Sequence, residues 1–182
     1  MKRAKDVTAR ARRVRLVVLD VDGVLTDGRM VLTERGDELK FFHTHDGMGI
    51  NLAKRAGLAL ALVTGEKSPI AQRRGEKLGI DDVVLGARRK GEVVEALRVE
   101  HNVPAEAVAF IGDDLIDIPA MQIVGLAVAV ADAPAAVKAA AHHVTRAPGG
   151  HGAVRELVEL VLTSQRSWRS IVAAYVREHG GR

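Results

Sequence analysis

The chain of 182 residues contains no cysteine. Disulfides and thiolate metal sites are therefore excluded, which leaves carboxylates and histidines as the candidate metal ligands. Aromatic residues are scarce, and none interleaves with the seven Lys/Arg of residues 1–15 to suggest a nucleic-acid reading module. No apolar run is long enough to span a membrane, and the opening MKRAKDVTARARR lacks the apolar stretch of a signal peptide. We expect a cytoplasmic protein with neither a nucleic-acid nor a membrane partner.

What is present suits one globular domain with a sizeable core, since 47% of the residues are hydrophobic. The net charge of +4 is unevenly placed. Residues 1–15 carry +6 and residues 166–182 carry +3, so the body between them is −5. The expected organisation is a frayed basic arm over residues 1–13, a catalytic domain over 14–164 and a helical tail over 165–182.

Residues 14–28, VRLVVLDVDGVLTDG, organise the rest. The apolar, β-branched run before Asp20 predicts a strand buried on both faces, as in the middle of a parallel sheet. Asp20 and Asp22, two residues apart, start on one side of the chain at the strand's carboxyl end, where open α/β sheets place their ligands. Neighbouring carboxylates repel, and a hard divalent cation with oxygen ligands, Mg²⁺ above all, relieves the repulsion. One carboxylate can then attack phosphorus, while the other transfers a proton to and from the reacting oxygens.

Downstream, short apolar strands alternate with amphipathic helices, which predicts an α/β fold: a Rossmann-like parallel sheet with helices on both faces. Residues 29–42 read as a β-hairpin inserted after the first strand, with Glu34–Asp37 in its turn, too small for a separate cap domain. Asp46 is expected to cap the next helix, and Gly149, Gly150 and Gly152 to form a mobile connection. Right-handed crossovers bring strand ends to one edge, so Asp20, Thr64 and Asp113 are expected to converge. Thr64, before Gly65, offers a hydroxyl and nearby amides to a phosphoryl oxygen. Lys90, at a helix start, is the candidate cation for developing phosphoryl charge. Asp113, Asp114 and Asp117 in GDDLIDIP form an acidic cluster directly after a strand.

These motifs resemble the haloacid-dehalogenase-like phosphohydrolases. Asp20, Asp22, Gly23 and Thr26 match their DxDGxxT motif. The resemblance implies Asp20 as nucleophile and Asp22 as general acid/base, with Thr64 and Lys90 holding the phosphoryl group. It also implies Mg²⁺ on Asp20, the Asp22 backbone carbonyl and Asp113, with Asp114 and Asp117 in support. DVDGVLTDG, the hairpin, DGMGI, GDDLIDIP and GGHGAVREL are similar to the capless branch that acts on phosphorylated 3-deoxy-2-ulosonic acids. Its members imply a homotetramer in which a neighbouring subunit and the C-terminal tail close the active site.

Within that branch, His43, Asp46, Gly47, Glu66, Arg74 and Lys77 are the expected substrate contacts. Glu66 stands where octulosonate enzymes typically carry arginine, and so does Asn51. With Lys77 and Arg74, this pattern resembles enzymes for nonulosonate 9-phosphates, so a nine-carbon substrate is expected and 3-deoxy-D-manno-octulosonate 8-phosphate is the alternative. Two readings from other classes are a phosphate-receiving signalling module and a catalytically silent binding protein on the same fold.

Overall fold

A computed structural model describes the backbone of residues 2–181 and the side chains of residues 6–181. Its centre is the strand β1 (Leu16–Leu19), in which every residue is buried. Four consecutive apolar side chains leave no face for water, so β1 needs strands on both sides and helices above and below. It pairs in parallel with β4 (Ala59–Val63) and with β6 (Val108–Gly112). β5 (Asp82–Val84), β7 (Leu126–Ala129) and β8 (His143–Val144) extend the parallel sheet to the order β5-β4-β1-β6-β7-β8. The Rossmann-like α/β expectation holds.

The register explains why distant residues meet. Leu19 lies level with Leu62 of β4 and with Ile111 of β6. The chain therefore leaves the sheet at Asp20, Thr64 and Asp113 on one edge.

Helices close the two faces. On one, α2 (Thr44–Arg55) and α7 (Ala153–Ser164) pack together, joined by α1 (Lys2–Ala11) and α8 (Trp168–Glu178). The remaining helices are α3 (Pro69–Leu78), α4 (Lys90–Glu100), α5 (Ile118–Met121) and α6 (Ala135–Ala140), and α4 packs against α5. A 3₁₀ turn at Leu115–Asp117 runs into the short α5. The hairpin is present as β2 (Val31–Leu32) and antiparallel β3 (Glu38–Leu39).

Two expectations of looseness are corrected. The basic N-terminal segment is not a frayed arm: it forms α1, and Val7 and Ala11 enter the core. Apolar residues four apart give α1 a stripe to bury, which outweighs its charge. Nor are the glycines near 150 a mobile connection. Gly150 N–H donates to the Val24 carbonyl at 2.8 Å, and Gly149 lies so close to Gly23 that a side chain at 149 would strike the Gly23 carbonyl. The segment is a brace against the loop that follows β1.

Candidate active site

The loop after β1 is shaped from within. Gly23 adopts φ +85°, and a side chain there would collide with the Asp113 carboxylate. The Thr26 hydroxyl accepts from the amides of Gly23 and Gly28, both at 3.2 Å, and is within 3.4 Å of the Val21 carbonyl as a donor. Thr26 thus ties the turn together from a buried position.

A cleft of about 290 Å³ opens where the strands end. Asp20, Asp22, Thr64, Gly65, Glu66, Lys90, Asp113 and Asp114 line it, so the main catalytic candidates come together as expected. A larger cleft, of about 520 Å³, crosses α1, β8 and α7 and holds none of these residues. Lys90 is fully buried, a costly place for an ammonium unless it is paired. Its Nζ lies 2.8 Å from Asp20 Oδ1 and 2.6 Å from Asp117 Oδ1. Burial works against its charge, but Asp20 and Asp117 prevail and raise its pKa above the usual lysine range. Asp117 Oδ2 accepts from the amides of Asp113 at 2.9 Å and Asp114 at 3.1 Å. Both oxygens of Asp117 are thus committed to shaping the loop and seating Lys90.

Carboxylate oxygens of Asp20, Asp113 and Asp117 lie within 4.8 Å of one another. One lysine offsets three acids. Burial, then the Asp117 charge, pushes Asp20 well above the usual carboxylate range. The same two causes lift Asp113 to about 6. Because Asp117 is already saturated, Asp20 and Asp113 are the pair with oxygens free for a cation. An all-oxygen donor set with surplus negative charge fits a hard divalent ion. Asp114, on the rim, accepts from the Leu115 amide at 2.7 Å and caps the 3₁₀ turn.

Asp22 sits above this floor. Its Oδ2 accepts from the Thr64 hydroxyl at 3.0 Å, and its Oδ1 from Lys40 Nζ at 2.5 Å. Lys40 was missed from sequence, where the hairpin read only as an insertion too small for a separate cap domain. The available signal was alternation: Glu38 and Lys40 share one side of the strand, Leu39 and Phe41 the other.

The expected substrate contacts fare unevenly. Only Glu66 lines the cleft, at its exposed rim. Asp46 is not a helix cap for α2, since His43 occupies that position and accepts from the His45 amide at 3.2 Å. Instead Asp46 is completely buried and caps a different helix, accepting from Gly152 N–H at 3.1 Å and Arg155 N–H at 2.9 Å at the start of α7. Gly47 lies against the Arg74 guanidinium, which stacks over the Phe42 ring at 5.0 Å. Lys77 is an exposed residue in the last turn of α3. His43, Asp46, Gly47, Arg74 and Lys77 are all absent from the cleft lining within this chain.

Comparison with known proteins follows the same lines. The sequence pattern of haloacid dehalogenase-like hydrolases matches residues 79–157. The 3-deoxy-D-manno-octulosonate 8-phosphate phosphatase of Escherichia coli K12 is 44% identical over 160 residues, 88% of this chain and 85% of that protein. Among solved structures, the phosphatase of the same name from Moraxella catarrhalis, in complex with magnesium, phosphate and KDO, superposes with a TM-score of 0.91. Its identity is 32%, with 94% of this chain and 98% of that one covered. A cobalt-bound deoxy-D-mannose-octulosonate 8-phosphate phosphatase from Haemophilus influenzae gives 0.84 at 41% identity, covering 86% and 92%.

Proposed function

The chain belongs to the haloacid dehalogenase-like hydrolases and is a phosphatase, and from that premise we propose that it hydrolyses 3-deoxy-D-manno-octulosonate 8-phosphate through an aspartyl phosphate on Asp20. The observation that carries this reading is the convergence of Asp20, Lys90 and Asp113 on one sheet edge, in a chain 44% identical to an enzyme named for that substrate. The nine-carbon preference expected from Glu66, Asn51, Lys77 and Arg74 gives way. Relatives named for the eight-carbon acid span most of the chain, and of those four residues only Glu66 lines the cleft. A receiver or silent binding module fits less well, because the relatives are named phosphatases.

Asp20 Oδ attacks phosphorus as the bond from phosphorus to the sugar oxygen breaks, and Asp22 supplies the proton that the departing oxygen needs. Asp22 then takes a proton from water as the water oxygen displaces Asp20 from phosphorus, returning both carboxylates to their starting states. Lys90 and Thr64 hold the equatorial phosphoryl oxygens, with Asp117 keeping Lys90 in place. Asp20, the Asp22 backbone carbonyl and Asp113 would hold Mg²⁺, which supplies charge neutralisation between the carboxylates and the phosphoryl group when bound.

The assembly proposed is a homotetramer joined through the hairpin. Leu32, Leu39 and Phe41 are 69%, 50% and 65% exposed there, an apolar surface that water disfavours. Phosphate release from eight- and nine-carbon keto-acid sugar phosphates, measured with Mg²⁺ and with EDTA, tests the substrate. The expected result is a kcat/KM preference for the eight-carbon ester that EDTA abolishes; a clear nine-carbon preference refutes the assignment.

A further inference from the structure

The hairpin delivers a lysine to the proton-transferring carboxylate. The Lys40 side chain is 3% exposed although it belongs to a surface hairpin. Its Nζ lies 2.5 Å from Asp22 Oδ1 and 2.8 Å from Glu38 Oε1. The other Glu38 oxygen accepts from the Ser68 hydroxyl at 3.1 Å, and the other Asp22 oxygen from the Thr64 hydroxyl at 3.0 Å. A relay of five side chains, Ser68–Glu38–Lys40–Asp22–Thr64, thus begins and ends on residues fixed just beyond β4.

Ser68 sits immediately before α3, where its hydroxyl would ordinarily bond an amide of the first turn. It makes no such cap bond and serves Glu38 instead. A capping hydroxyl diverted to the hairpin argues that the relay is built rather than incidental.

The two oxygens of Asp22 are not equivalent in this arrangement. A carboxylic acid keeps an accepting carbonyl oxygen, so a donor at Oδ1 suits Asp22 whether or not it carries a proton. The hydroxyl partner at Oδ2 can rotate away or reverse its role, whereas an ammonium can only donate. We propose that Lys40 is a positioning residue that holds Asp22 by Oδ1 and so makes Oδ2 the oxygen that hands its proton to the leaving group. In that step the Asp20–phosphorus bond forms, the bond from phosphorus to the sugar oxygen breaks, and the Asp22 proton moves onto that oxygen. The inference rests on the acid/base reading of Asp22 above.

The test compares leaving groups. A sugar alkoxide needs the proton, whereas p-nitrophenolate departs without it, and kcat/KM reports only the steps up to its departure. Lys40→Met is expected to lower kcat/KM for the octulosonate ester by about 10²-fold, as a misplaced catalytic group does, and to spare p-nitrophenyl phosphate by comparison. The loss should fall on kcat, with Lys40→Arg restoring part of it. Glu38→Gln, which loosens the rear of the relay while keeping the lysine, should give the same pattern more weakly.

Asp22→Asn, measured alongside, separates the two claims. If Asp22→Asn discriminates between the substrates and the Lys40 variants lose equally on both, or lose nothing, the Lys40 proposal is overturned and Asp22 keeps its role. A Lys40 loss confined to KM overturns it too, since the lysine would then be binding substrate. Equal loss on both substrates in Asp22→Asn overturns the reading of Asp22 itself.

Discussion

The floor of the cleft and its roof solve the same electrostatic problem by different means. On the floor, Lys90, Asp20 and Asp117 are buried at strand and helix ends, and their places are set by sheet register and backbone amides. In the roof, Glu38 and Lys40 come from a two-stranded hairpin whose outer face is apolar and exposed. The floor would keep its shape in an isolated subunit. The roof depends on ion pairs below it and, in the proposed tetramer, on neighbours outside it. Rigid chemistry is thus combined with a hairpin surface that the proposed assembly would complete.

The largest effect expected from breaking this contrast is on the floor. Asp20→Asn should reduce turnover by on the order of 10⁴-fold or more with an unchanged circular-dichroism spectrum, because the proposed nucleophile is lost and the shape is nearly conserved. Phosphate release at high enzyme concentration checks it. Lys90→Met comes next, at about 10²- to 10³-fold in kcat. It should also destabilise the fold by roughly 3 kcal/mol or more, since two buried carboxylates lose their shared cation. Thermal denaturation with paired kinetics measures both.

The roof should respond in the opposite sense. Leu39→Glu with Phe41→Glu is expected to dissociate the assembly in size-exclusion chromatography. Activity should fall several-fold, while the subunit's own melting changes by about 0.5 kcal/mol or less, as is usual for exposed positions. If the double variant stays assembled, the hairpin is not the joint. The smallest effect on activity should come from Asp46→Ala, which removes the cap of α7 and costs about 1–2 kcal/mol of stability. The KM for the sugar phosphate should not move; a large rise would return Asp46 to the substrate site.

The floor was legible in the sequence because each component announces itself locally. Asp20 and Asp113 stand immediately after apolar strands, and parallel topology alone brings such ends together. The positions on α2 and α3 were not legible in the same way. Which side of a helix meets the cleft depends on tertiary packing, and the sequence around Asp46 looks alike whether its carboxylate reads a substrate or seats another helix. Lys40 was hidden for a related reason. Strand alternation shows which residues share a side, but only the folded structure shows that this side meets Asp22. The basic opening segment misled through its charge, which drew attention from the spacing of Val7 and Ala11.

The contact between Gly149 and Gly23 has a consequence for biosynthesis. The turn that follows Asp20 is braced by a stretch translated some 125 residues later. A ribosome still short of that stretch has already released the first strand, yet the nascent chain lacks the wedge that sets its reactive bend. Activity should therefore emerge late and abruptly during synthesis, and C-terminal truncations reaching past the wedge, which also remove the core residues of α7, should cost both the catalytic loop and one helical face of the sheet.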